Sequence, residues 1–143
     1  MRSAPSIIAD EEKIARVIFS PSMIVNGKVA PTAFQLRNLR KPEDYVSVFR
    51  NDYVEITQEY VSVIHPPYDN YIYGYALLSV GECRKIAYEG ITTEVKSHAT
   101  KNNPFHAGIH FSNAGTDIKG NCIDPNFMIV MTMLANRCSL VAF

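Results

Sequence analysis

Residues 105–111 alternate in polarity. Phe105, Ala107, Ile109 and Phe111 fall on one side of an extended chain; His106, Gly108 and His110 fall on the other. The pattern predicts a strand with one apolar face and one face able to do chemistry. Similar periodicity predicts strands at 16–19, 45–50, 70–78 and 91–98. In 70–78, Tyr71, Tyr73, Tyr75 and Leu77 would share one side, and Ile72, Gly74, Ala76 and Leu78 the other. Two apolar sides imply an interior strand. Asn26-Gly27 separates two short apolar arms and predicts a two-residue hairpin, since both turn positions need positive φ.

Helical spacing is predicted at 53–63, stopped by Pro66-Pro67. Asp10 would cap a short helix over 11–15. Ser79 with Glu82 has the form of a capping box, predicting a helix from 80 to 88 that ends at Gly90. Asp124-Pro125 would open an amphipathic helix carrying Phe127, Val130, Met131, Leu134, Ala135 and Cys138. Residues 34–42 and 112–120 read as loops, and 139–143 as a short final strand. The expectation is one compact α+β domain over 1–143. Its mixed or antiparallel sheet would have about five or six strands with three or four helices. Strands 91–98 and 105–111 should pair as an antiparallel hairpin.

Composition narrows the function classes. Fourteen basic and fourteen acidic residues cancel. That disfavours a nucleic-acid partner held by a broad basic surface. Cys83, Cys122 and Cys138 show no C-x-x-C spacing and read as reduced thiols, which points to the cytoplasm. The N-terminus has too short an apolar run for a signal peptide, and the run 127–134 is far short of the ~20 residues of a membrane span. No cofactor motif is present.

The His106-x-x-x-His110 spacing would suit one metal ion on a helix. On a strand, four residues span about 13 Å, too far for two imidazoles to share a zinc at ~2 Å bonds. No metal is therefore expected. Arg16, Ser47, Arg50 and Arg84 are candidates for anion contacts, although salt bridges are the commoner use of arginines so placed. The tyrosines at 68, 71, 73 and 75 could stack on a ring or pack beneath a helix. Cys83, near a predicted helix start, reads better as a buried structural thiol.

Two resemblances bear on the histidines. His98-Ala99-Thr100 and His110-Phe111-Ser112 share the form H-x-[ST]. That form resembles the paired motif of the two-histidine phosphoesterases, in which one imidazole takes a proton and the other gives one. Here the two tripeptides are twelve positions apart, whereas that family places one in each lobe. His98 with His106 is an equally good acid/base pair if the hairpin register brings them together. The second resemblance rests on three segments: Arg16-Val17-Ile18 through Asn26-Gly27-Lys28-Val29 to Ala33-Phe34; Tyr45-Val46-Ser47-Val48; and Gly81-Glu82-Cys83-Arg84 through Glu94-Val95 to Asn103-Pro104-Phe105-His106-Ala107-Gly108-Ile109. Together they resemble a family of uncharacterised small bacterial proteins with a Pro-x-His-Ala strand. It implies no activity. It does imply that Arg16, Ser47, Arg84 and His106 form a common polar pattern.

The expected function is that of a cytoplasmic binding or interaction domain, its partner a protein or a small ligand, and neither a membrane nor a nucleic acid. The alternative is a small hydrolase or transferase acting on a phosphate- or nucleotide-like substrate. His106 would be its acid/base, with Arg16, Ser47 and Arg84 as the other catalytic candidates. Gly108, His98 and Tyr73 are the ligand-binding candidates. A third class is a subunit that pairs with a second copy through its tyrosines.

Overall fold

A computed structural model describes residues 4–36, 45–64, 72–112 and 125–143. Among these residues nine strands run in chain order: β1 (Lys13–Ile18), β2 (Ile24–Val25), β3 (Lys28–Val29), β4 (Val46–Arg50), β5 (Gly74–Ser79), β6 (Ala87–Tyr88), β7 (Ile91–Ser97), β8 (His106–Ser112) and β9 (Ser139–Ala142). Three helices join them: α1 (Gln58–Ile64), α2 (Val80–Arg84) and α3 (Pro125–Asn136). Seven strands form one sheet in the order β6-β7-β8-β4-β1-β5-β9, and β2-β3 is a separate hairpin. Every pair is antiparallel. The architecture is α+β as expected, with more strands than the five or six expected.

Strand parity divides the sheet into two faces. Ile14, Ile18, Val46, Val48, Val95 and Ile109 are buried in a main core with Phe127, Val130, Met131 and Leu134 of α3. The opposite face is built in two parts. Ala15, Val17 and Phe49 pack with Ile56 and with Val61 of α1 in a second, smaller core. Farther along the same face, Ser47 is in register with Gly108, and Gly108 with Lys96. This part of the face therefore carries Glu94, Lys96 and His98 from one side and His106, Gly108 and His110 from the other.

The two hairpins form where expected. Asn26 (φ 53°) and Gly27 (φ 75°) turn β2 into β3. β7 and β8 pair through six residues, with Val95 opposite Ile109. Elsewhere, tertiary pairing overrides local signals. The helix expected over 11–15 is absent, because residues 13–15 begin β1. Ile14 and Ala15 are buried on opposite faces and pair with both β4 and β5. A helix there would have removed the start of an interior strand. The helix at 53–63 begins later, at Gln58, with the Thr57 hydroxyl accepting from the Tyr60 amide. Ser79 does cap α2, its Oγ accepting from the Glu82 amide at 3.4 Å. That helix ends at Arg84 instead of 88. Gly90 does take a positive φ of 82°, but beside Glu89 (φ 50°) in the turn between β6 and β7 rather than at a helix end. The alternation expected in 70–78 also breaks. Tyr73 packs against the main core and Tyr75 against the second. The switch falls at Gly74, whose φ of 156° is open almost only to glycine. Of the loop expected over 34–42, Phe34 instead closes a short 3-10 helix (Pro31–Phe34) and is buried with Leu36. Residues 37–42 and the expectations for Pro66-Pro67, Tyr68, Tyr71, the loop after Ser112, Cys122 and Asp124 lie outside the described residues. Among those described, no helix is long and apolar enough to cross a membrane.

Candidate functional site

The polar part of the second face gathers three of the chain's four histidines. His98 follows β7, and its amide donates to the carbonyl of His106 at 2.9 Å, extending the ladder by one residue. His106 and His110 lie two pleats apart on β8, with Gly108 between them. Tyr45, just before β4, lies beside this row. Its ring stacks on His98 at 4.0 Å between centroids and 7° between planes. It also lies 5.1 Å from the His110 ring and 5.8 Å from the His106 ring.

Glycine at 108 makes this packing achievable. A Cβ there would sit 2.5 Å from Tyr45 Cδ2 and 2.9 Å from His98 Cδ2. The two rings fill the space a side chain would take, an aromatic cover over a glycine in a strand. Gly108→Ala is expected to keep the fold and lift both rings, at a cost of about 1–3 kcal/mol for the overpacked site. The check is the ring-proton chemical shifts of His98, which feel the stacked tyrosine. Unaltered shifts in the variant would refute the account.

The His98 and His110 side chains meet across the hairpin with their Nε2 atoms 2.7 Å apart. Their ring centroids are 4.9 Å apart, the separation of two imidazoles touching tip to tip. One nitrogen must donate and the other accept, so a single proton lies between them. Burial and then the Lys96 charge push the His98 pKa below the ordinary histidine value. Tip-to-tip lone pairs point at each other and not at a common third point, so this contact suits a proton better than a metal ion. Among the described residues, no group of three or more His, Cys, Asp or Glu is placed to hold a metal.

The remaining predicted residues are distributed over other parts of the fold. Ser47 sits in register with Gly108 and is the nearest of them to the cluster. Arg16 points to the opposite face. It is 4% exposed, and its Nε donates to the Ala33 carbonyl at 2.8 Å and its Nη1 to the Ser47 carbonyl at 3.0 Å. It holds the short 3-10 helix at Pro31–Phe34 to the sheet from within the main core. Arg84 caps the outer edge of β7. It donates to Asp10 Oδ1 (2.7 Å), to Glu94 Oε1 and to the Val95 carbonyl (3.1 Å). Burial alone would raise the Glu94 pKa, but Arg84 and the Val95 amide outweigh it and hold the carboxyl below its usual range. Edge groups satisfied in this way are closed to strand pairing. Arg16, Ser47, Arg84 and His106 therefore do not form one pocket. Tyr73 lies on β5's side of the sheet and packs with the main core, away from His98 and Gly108. Arg50 is buried in an ion pair with Glu12. The Cys83 thiol is fully buried, and burial pushes its pKa up to about 12.

Tyr45 and Lys96 were not among the sequence candidates. Tyr45 has the parity of Ser47, so any register that sets Ser47 against Gly108 brings Tyr45 beside His110. That signal becomes readable only once strand pairing is known. Compared with known proteins, the chain matches no family model, no curated protein and no solved structure.

Proposed function

We propose that this protein is a binding domain that docks a small ligand or a protein partner on the face formed by Tyr45, Lys96, His98, His106 and His110. The observation that carries this reading is the tyrosine–histidine stack over Gly108. It is a closely packed, partly exposed aromatic surface with adjoining polar tips, of the kind that anchors recognition. A thermal-shift screen with nucleotides, inorganic phosphate and divalent metals, followed by NMR mapping of each hit, tests it. Hits should perturb the rings of Tyr45, His98 and His110. Hits that perturb only residues elsewhere would overturn the assignment of this face.

One observation favours a second reading, a hydrolase or transferase for a phosphate- or nucleotide-like substrate. A proton donor and a proton acceptor already meet at 2.7 Å, which favours His98 and His110 over His106 as the acid/base couple. Turnover of a phosphate ester that vanishes in both His98→Gln and His110→Gln would support it. Equal turnover in the wild type and both variants would discard it.

A further inference from the structure

Of the chain's asparagines only Asn26 precedes a glycine, and it stands at the tip of the β2–β3 hairpin. Asn26 and Gly27 are both exposed. The ladder of the hairpin belongs to their neighbours. Val25 pairs with Lys28, and the Ala30 amide donates to the Met23 carbonyl at 2.8 Å. Among the described residues, no hydrogen bond holds the Asn26 side chain. Its own chain neighbours aside, no atom comes within 4 Å of the place that a Cβ on Gly27 would take.

This arrangement suits an attack of the main chain on the side chain. The Gly27 nitrogen follows directly on Asn26, within reach of its side-chain amide. A Cβ on the following residue would crowd that approach, and glycine has none. Base removes the Gly27 N–H proton, and the nitrogen bonds to Asn26 Cγ. The Cγ–Nδ2 bond breaks, and Nδ2 leaves as ammonia with a proton returned. Water then opens the cyclic imide. Cleavage of its bond to Cγ gives aspartate. Cleavage of its bond to the Asn26 carbonyl carbon gives isoaspartate, in which the main chain runs through the former side chain. The sum is asparagine plus water to aspartate or isoaspartate plus ammonia, with no oxidant or reductant.

The hairpin tolerates the two products differently. Aspartate accepts the positive φ of 53° held at position 26, and Asp-Gly suits the same turn. Isoaspartate adds a methylene to the main chain of a two-residue turn, and turn geometry sets the register of the strands beside it. The β2–β3 ladder consists of Ile24 opposite Val29 and Val25 opposite Lys28, too short to hold a mismatched turn closed. The tip also walls a cavity. Gly27, Lys28 and Val29 line a space of about 330 Å³ together with Asn136 of α3, Cys138, and Leu140 of β9. The Cys138 thiol is half-buried and donates to the Leu134 carbonyl at 3.2 Å.

We propose that Asn26 is a self-modification site, converting through a cyclic imide to isoaspartate, and that this conversion releases the hairpin tip and opens the way to Cys138. The modification does not depend on the docking role of the Tyr45–His98 face.

The test ages the full chain in mildly alkaline buffer beside a urea-unfolded sample, then maps both by digestion and mass spectrometry. Asn26 should be the first asparagine lost from the folded chain, with isoaspartate exceeding aspartate. The rate should rise with pH, because hydroxide removes the Gly27 proton. Asn26→Gln should stay intact at this position, since the longer side chain closes the ring poorly. Ion exchange then separates the converted chain, which has gained a carboxylate, for treatment with iodoacetamide. Cys138 should be alkylated several-fold faster in the converted chain than in the unconverted chain or in Asn26→Gln aged alongside. Survival of Asn26 in the folded chain overturns the modification site. Conversion in the unfolded sample alone would show that the native turn keeps the nitrogen away from Cγ. Conversion with the alkylation of Cys138 unchanged overturns the release of the tip.

Discussion

Replacing Glu12 by Gln is expected to destabilise the protein by about 3–5 kcal/mol, the usual cost of removing one partner from a buried ion pair. Among the described residues Arg50 is the largest fully buried side chain, 1% exposed, and Glu12 is 7% exposed. The pair is bidentate: Nε donates to Oε1 at 2.9 Å and Nη2 to Oε2 at 2.8 Å. Glu12 Oε2 also accepts from the Ala9 amide at 3.0 Å, and Arg50 Nη1 donates to the Pro5 carbonyl. The ion pair thus ties the segment before β1 to the end of β4. A glutamine would leave the guanidinium charge buried without a counter-charge. Urea denaturation reads the effect as a lower midpoint at unchanged slope. A loss below about 1 kcal/mol would show that the charge is not needed. Glu12→Leu combined with Arg50→Met should recover most of the loss, because an apolar pair of similar volume often replaces a buried ion pair without penalty.

The same pair sets an acid limit. Burial by itself would raise the Glu12 pKa, but the Arg50 hydrogen bonds, the Ala9 amide and the Arg50 charge together hold it below the ordinary carboxylate value. A carboxyl lowered in the folded state contributes its full stability above its unfolded pKa. It loses that contribution as pH falls through the folded one. The stability of the wild type should therefore drop more steeply on acidification than that of Glu12→Gln. Parallel curves for the two proteins would contradict this.

Gly74→Ala is the second large effect, at about 2–4 kcal/mol. Its φ of 156° is unfavourable for any residue with a Cβ, and the added carbon would sit 2.2 Å from the Val141 carbonyl oxygen and 2.9 Å from the Ala142 Cα. Both obstacles are backbone, so no side-chain rotation relieves them. The sheet can respond only by releasing β9, which pairs with β5 from Gly74 opposite Ala142 to Leu77 opposite Ser139. The bond from the Phe143 amide to the Tyr73 carbonyl should be lost with it. Hydrogen exchange reads this directly. Amide protection in the β5–β9 ladder should collapse while the β1–β5 ladder stays protected. Full protection of both ladders would refute the close approach.

Much of the local structure was readable from residue order. The period of two in 105–111, the Asn26-Gly27 turn and the stripe from Phe127 to Ala135 each record a local constraint: which side of an element is buried, or which φ a turn demands. Segments buried on both sides were less legible. Residues 13–15 have acids before them and no polar alternation, so nothing local distinguishes a capped helix from an interior strand. Only pairing with β4 and β5 decides. The capping signal at Ser79 was correct, but the length of the helix after it was not, because β6 takes over the chain at Ala87.

The candidate site divides in the same way. The order of residues alone placed His106, Gly108 and His110 on one side of a strand and ruled out a metal shared by two histidines two pleats apart. The resemblance of two H-x-[ST] tripeptides offered His98 with His110 as a pair across the hairpin, with His98 and His106 as an equal alternative; the structure brings the Nε2 atoms of His98 and His110 together. What required the tertiary structure was the setting. The register puts Tyr45 over Gly108, Lys96 opposite Gly108, Arg16 on the far face and Arg84 at the sheet edge. Periodicity specifies the side of its own strand on which a residue stands. Which neighbours share that side depends on strand order and register, and those follow from how the whole chain buries its apolar faces.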